Sequence, residues 1–124
     1  MTGEAIKSFY PRIEILDEAY EIPQLGRKRR ISVLLPHDYY QTNKKYPVLY
    51  LHDGQNLFDE YAPYGNWGVD KSLERLAMQG IGDVIIVAID HGGVLRIQEY
   101  LPYSTPRYTE AEGNLYIKFM LEDL

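Results

Sequence analysis

The segment Val84-Ile85-Ile86-Val87-Ala88-Ile89 is the longest unbroken apolar run in the chain. A short run rich in β-branched residues and bounded by turn signals reads as a strand. It has no polar position on either face, which suits a strand covered on both sides, the habit of parallel sheets in α/β proteins. Pro47-Val48-Leu49-Tyr50-Leu51 has the same character and also fits the inside of a parallel sheet better than an edge. Between the two lies an irregular stretch, His52 to Gly68, carrying Gly54, Pro63, Gly65, Gly68 and several large aromatics. A helix follows, with Asp70 as its expected N-cap, Leu73, Leu76 and Ala77 on one face, and Gly80 and Gly82 as its stop. Strand, loop, helix and strand make a βαβ unit, whose crossover is expected to be right-handed.

The flanks extend this frame. Phe9 to Tyr20 reads as a half-buried strand or two, with Ile13 and Ile15 alternating. Gln24-Leu25-Gly26-Arg27 reads as a turn, and Arg29–Leu35 as a second strand ended by Pro36, so the two pair as an antiparallel hairpin. Downstream, Thr109-Glu110-Ala111-Glu112 has capping-box spacing, and Ile117, Met120, Leu121 and Leu124 recur at helical intervals. That periodicity predicts an amphipathic helix facing the core. The 124 residues therefore read as one α/β domain, 1–124, and as an incomplete one, because a single βαβ unit cannot build the parallel sheet its strands imply.

Several classes of function are set aside by composition. Thirteen basic against eighteen acidic residues give a net charge of −5, a poor match to a phosphate backbone. Without cysteine there is no disulfide, zinc-thiolate site or cysteine nucleophile. No apolar run approaches the roughly 20 residues of a membrane span, and Met1-Thr2-Gly3-Glu4 opens no secretory leader, so the expected compartment is the cytoplasm. The basic run Arg27-Lys28-Arg29-Arg30 reads as nucleic-acid contact or, given the overall acidity, as a solvated hairpin tip.

Both apolar strands end in polar residues around glycine, at His52-Asp53-Gly54-Gln55-Asn56 and Asp90-His91-Gly92-Gly93. Ligands of open α/β sheets bind beyond such carboxyl ends. His52, Asp53, Asp90 and His91 are acceptable metal ligands, though their spacing is not diagnostic. The alternative is that the aspartates hold loop amides while the histidines fill space. None of Ser8, Ser32, Ser72 and Ser104 lies in a G-x-S-x-G frame, and no phosphate-binding glycine motif is present.

Tyr50-Leu51-His52-Asp53-Gly54-Gln55-Asn56-Leu57-Phe58-Asp59 resembles the loop after the third strand in the esterase D-like family of α/β-hydrolases, the Putative esterase family. Its members include feruloyl and acetyl-xylan esterases, enterochelin esterase-like proteins and S-formylglutathione hydrolases. Trp67-Gly68-Val69-Asp70 is similar to the entry to that family's first helix. Ile85–Asp90 is similar to its fourth strand, and Arg96 with Glu99-Tyr100-Leu101-Pro102 to its R-x-x-E-Y-x-P segment. Gly113, Tyr116 and Phe119 resemble the helix before its nucleophile strand. The resemblance covers roughly Arg30 to Leu124.

The resemblance implies a partial α/β-hydrolase fold: an N-terminal antiparallel hairpin, then a βαβ unit of a mostly parallel sheet, without the later strands. It implies serine carboxylic-ester hydrolysis without a cofactor, on a small-molecule ester. The G-x-S-x-G-G elbow, the acid and the histidine are expected beyond Leu124, which leaves the 124 residues inactive alone. What carries over is the oxyanion side: the Gln55 main-chain N–H as a donor, with Gly54 allowing a close approach. Asp53 supports the loop or walls the acyl pocket, and Trp67 covers that pocket or lies in the core. Arg96 pairs with Glu99 at i, i+3 or meets an anionic substrate, the pairing being preferred. The implied sheet order sets Val84–Ile89 between Arg29–Leu35 and Val48–Leu51, leaving the last as a bare edge. The expected partners are therefore further copies or the missing C-terminal half, with neither nucleic acid nor membrane. A non-catalytic module binding carbohydrate or aromatic ligands through Phe58, Tyr61, Tyr64 and Trp67 is the alternative.

Overall fold

The structure, a computed structural model, describes residues 9–58, 66–81, 83–107 and 109–124. Its strands are β1 (Arg12–Ile22), β2 (Arg27–Leu35), β3 (Val48–Leu51) and β4 (Ile85–Ile89), in the order β1-β2-β4-β3. The helices are α1 (Gln55–Phe58), α2 (Val69–Met78), α3 (Arg96–Tyr100) and α4 (Gly113–Glu122). The order is the one the resemblance implies. β1 and β2 form the hairpin, closed by a turn in which Leu25 N–H donates to the Ile22 carbonyl and Gly26 takes φ 63°. That left-handed conformation costs glycine nothing.

β4 explains its own sequence. Ile86 and Ala88 join Leu34 and Leu57 in a core on one face, packed by Val69 and Leu73 of α2. Ile89 and Val87 point the other way, to Ile31 and Tyr116 beneath α4. A strand facing two cores has no position for a polar side chain.

The sheet is mixed rather than mostly parallel. Among the described residues β3 pairs with β4 in parallel, whereas β1 with β2 and β2 with β4 are antiparallel. β3 lies at the margin of the sheet, and Val48, Leu49 and Tyr50 are 46%, 48% and 44% exposed, so both of its faces are uncovered. An apolar strand of interior character thus occupies an edge position.

Three helix details differ from expectation. α2 is capped by Gly68 in the left-handed region, and Asp70 sits one residue inside the helix, its buried carboxylate taking a hydrogen bond from the Tyr10 hydroxyl. Burial, followed by that hydrogen bond, raises the Tyr10 hydroxyl to about 12. Gly80 ends the helix as foreseen, at φ 73°, while Gly82 lies outside the described residues. α4 starts at Gly113 after Glu112, with no side-chain cap, so the spacing at Thr109 forms no capping box. Its buried residues are Gly113, Tyr116 and Phe119, whereas Ile117 and Leu121 are exposed at 48% and 81%. The helix is apolar on more than one face, and the aromatic face, whose Phe119 meets Tyr20 edge-on, is the one that packs inward.

Candidate functional site at the carboxyl ends of β3 and β4

The chain turns sharply as it leaves β3. Asp53 takes φ 56°, a left-handed conformation that aspartate tolerates better than most residues. Its carboxylate is gripped by Arg96, with Nε on Oδ1 at 2.8 Å and Nη2 on Oδ2 at 2.6 Å, and Tyr100 Oη donates to Oδ1 at 3.2 Å. Those hydrogen bonds from Arg96 hold the Asp53 carboxyl below the usual range. Burial beside the same carboxylate pushes the Tyr100 hydroxyl up. Arg96 therefore pairs with Asp53 and not with Glu99, since α3 sends the two side chains to different partners.

Gly54 is seated directly against the end of β4. Its N–H donates to the Ile89 carbonyl at 2.8 Å. A Cβ at this position would lie 2.6 Å from Asp90 Oδ1 and 3.1 Å from both Asp90 N and Ile89 C. The close approach that glycine permits here is to the neighbouring strand end. Gln55 then begins α1, and its side chain closes a two-point pair with His91. Nε2 donates to the His91 carbonyl at 3.0 Å, and the His91 N–H donates to Oε1 at 2.8 Å. Among the described residues no main-chain acceptor faces the Gln55 N–H, as expected for the first turn of a helix.

The other strand end is held by charge. Arg30 Nε meets Asp90 Oδ2 at 2.9 Å. Glu99 is fully buried, and its Oε2 receives Arg27 Nη1 at 2.9 Å and Arg29 Nη2, while Oε1 is shut in against Gly92. Arg27 also makes a bidentate pair with Glu112, at 2.6 and 3.0 Å, and this pairing raises its already high pKa. The basic run is thus no solvated hairpin tip: Arg27, Arg29 and Arg30 are partly buried and paired with carboxylates. Likewise Asp53 and Asp90 each hold a guanidinium group, of Arg96 and Arg30 respectively. Among the described residues no three His, Asp or Glu side chains gather as a metal site.

His52 packs at a tilt against Tyr100 and Tyr116, with ring centroids 5.0 and 5.6 Å away, and this partial burial lowers its pKa. These rings, with Pro102, Ile117 and Met120, line a cavity of about 320 Å³. Burial raises the Tyr116 hydroxyl strongly. Trp67 is 76% exposed and lines no part of this cavity, though its N–H ties to the Asn56 carbonyl at 2.8 Å. Phe58 packs into the core, and Tyr61 and Tyr64 lie outside the described residues. The site thus joins Asp53, Gly54, Gln55 and Arg96 and leaves Trp67 apart. The partnership of Gln55 with His91 was not legible in the sequence, because its acceptor and donor are main-chain groups.

The model of the Putative esterase family matches residues 22–120. The chain belongs to that family. Two solved structures resemble this esterase-family chain. One is an IroE-like serine hydrolase from Shewanella oneidensis, at 26% identity and a TM-score of 0.64, covering 90% of this chain and 35% of that one. The other is a ferulic acid esterase, at 26% identity and a TM-score of 0.60, covering 95% of this chain and 41% of that one. The chain therefore spans about a third to two fifths of the length of these hydrolases. No curated protein gives a significant sequence match. Among the described residues no helix is long and apolar enough to cross a membrane.

Proposed function

We propose that this chain is the N-terminal segment of a serine carboxylic-ester hydrolase, and that it supplies the oxyanion side of the site. The observation carrying this reading is the Gly54–Gln55 turn. It is seated at the carboxyl end of the sheet, and its Gln55 N–H has no main-chain acceptor among the described residues. In acyl transfer a serine attacks the ester carbonyl and the carbonyl oxygen gains charge. An N–H aimed at that oxygen stabilises the transition state more than the ground state, by about 3 kcal/mol in comparable sites. Asp53 and Arg96 hold the turn from one side, so Arg96 acts as a support. The nucleophile, acid and histidine would come from residues beyond these 124, and the reaction needs no cofactor.

The test is a fluorophosphonate with intact-mass spectrometry of the purified protein, alongside hydrolysis of acetyl and feruloyl esters. A singly labelled species heavier than 14.4 kDa that hydrolyses either ester supports the reading. A species heavier than 14.4 kDa that takes no label and hydrolyses neither ester overturns it. The aromatic-lined cavity favours a second reading, a module that binds an aromatic or carbohydrate ligand without turnover. Saturable binding of a xylo-oligosaccharide or ferulate without hydrolysis would select it. In either case the bare β3 edge and the outer face of α4 are the surfaces through which further copies or the remaining half would associate.

A further inference from the structure

The Gln55 side chain does the work of a strand residue. The parallel pairing of β3 with β4 runs from Val48–Ile85 to Leu51–Ala88, and the Gly54 N–H continues it onto the Ile89 carbonyl. At Gln55 the main chain turns away into α1. The carboxamide then replaces it, offering one acceptor and one donor to the N–H and carbonyl of His91, as a neighbouring strand would. The ladder is satisfied two residues beyond β4, and the main-chain N–H of Gln55 is released from it.

We propose that Gln55 is a positioning residue as well as the donor: the pairing of its side chain with His91 fixes where its own N–H points. This rests on the esterase reading above. His91 is buried, and its Nδ1 accepts from the Gly93 N–H at 3.0 Å, so the segment being gripped is itself held. On the other side Asp53 is gripped by Arg96, so the turn between them is braced at both ends. Two hydrogen bonds to fixed main-chain groups leave the side chain of Gln55 little freedom, and the backbone to which it is attached shares that restriction. A preorganised donor of this kind needs no rearrangement when charge develops.

The experiment compares wild type, Gln55→Leu and Gln55→Glu in the purified protein. Leucine keeps most of the volume and makes neither bond. Glutamate keeps the acceptor for the His91 N–H, and when protonated it also regains a donor. Hydrogen exchange reads the pairing directly: the His91 amide should exchange at least about tenfold faster in Gln55→Leu, as expected for losing a bond of ~1.4 kcal/mol. On an ester that the wild type hydrolyses, kcat should fall about tenfold or more in Gln55→Leu with KM within about twofold, since losing an oxyanion donor outright costs about 10²–10³. The activity of Gln55→Glu relative to wild type should rise as pH falls toward the carboxyl pKa. A merely structural side chain would not give that dependence. An active wild type with unchanged kcat in Gln55→Leu overturns the positioning role alone. A wild type heavier than 14.4 kDa that neither hydrolyses esters nor takes the fluorophosphonate overturns the esterase reading, and the positioning role with it.

Discussion

Gly54→Ala gives the sharpest test of how the β3 turn is seated. The added Cβ would stand 2.6 Å from Asp90 Oδ1 and 3.1 Å from Asp90 N and Ile89 C. The carboxylate could swing, but Arg30 holds it, and the other two atoms are main chain at the end of a central strand. The turn must therefore move by several tenths of an ångström. Overpacking of this kind costs about 1–3 kcal/mol. Stretching the Gly54–Ile89 hydrogen bond costs about 1 more, and the stiffer unfolded chain offsets about 0.4–1. The net loss is about 1–3.5 kcal/mol, or roughly 4–14 °C in Tm at this chain length. Gly26→Ala is the control, because nothing lies within 4 Å of its Cβ and only its φ of 63° opposes alanine. It should cost about 1–2 kcal/mol. Circular-dichroism melts of both variants decide the matter. If Gly54→Ala melts no lower than Gly26→Ala, the turn is not pressed against β4 and the geometry argued for Gln55 fails.

Glu99→Ala removes a fully buried carboxylate and leaves Arg29 without its partner there, while Arg27 keeps Glu112. Urea denaturation should show a loss of about 3–5 kcal/mol, as for other broken buried pairs. Asp53 is held below its usual carboxyl range by Arg96, so its contribution is complete above about pH 4 and fades as pH falls through the folded-state value. Stability measured from pH 5 to 2.5 should fall less steeply in Asp53→Asn than in wild type. Leu49→Lys places a charge on an edge strand and should shift light-scattering mass toward the monomer without lowering Tm by more than a few degrees.

Much of the fold was legible because its signals are local. Pro36 and Gly26 punctuate the hairpin, and the run from Val84 to Ile89 has the unbroken apolarity of a strand between two cores. The face of α4 was read in part: Met120 and Leu124 pack on the core, while Ile117 and Leu121 do not, because apolar residues stand on several sides of the helix. Tyr116 and Phe119 satisfy the same spacing rule as Ile117 and Leu121, and only the sheet beneath decides between them. The charges were misread for a different reason. Arg96 finds its carboxylate 43 positions away in Asp53, and Arg27 and Arg29 find Glu99 at separations of 72 and 70. Neighbour spacing carries no trace of such pairs. At the site, the strand ends pointed to the right place, while the hydrogen bonds fixing it run to main-chain groups that any sequence would offer.

The two margins of the sheet are unlike. β1 slips its register twice against β2, between Ile15 and Asp17 and again between Asp17 and Tyr20, and it presents the charges of Asp17 and Glu18. β3 is short, regular and apolar. Bulges and charge turn away an incoming strand, and a plain apolar edge admits one. Among the described residues, association by strand addition would therefore have a single open end. Two chains meeting through β3 would use up that end on both partners and close as a symmetric pair rather than a growing fibre.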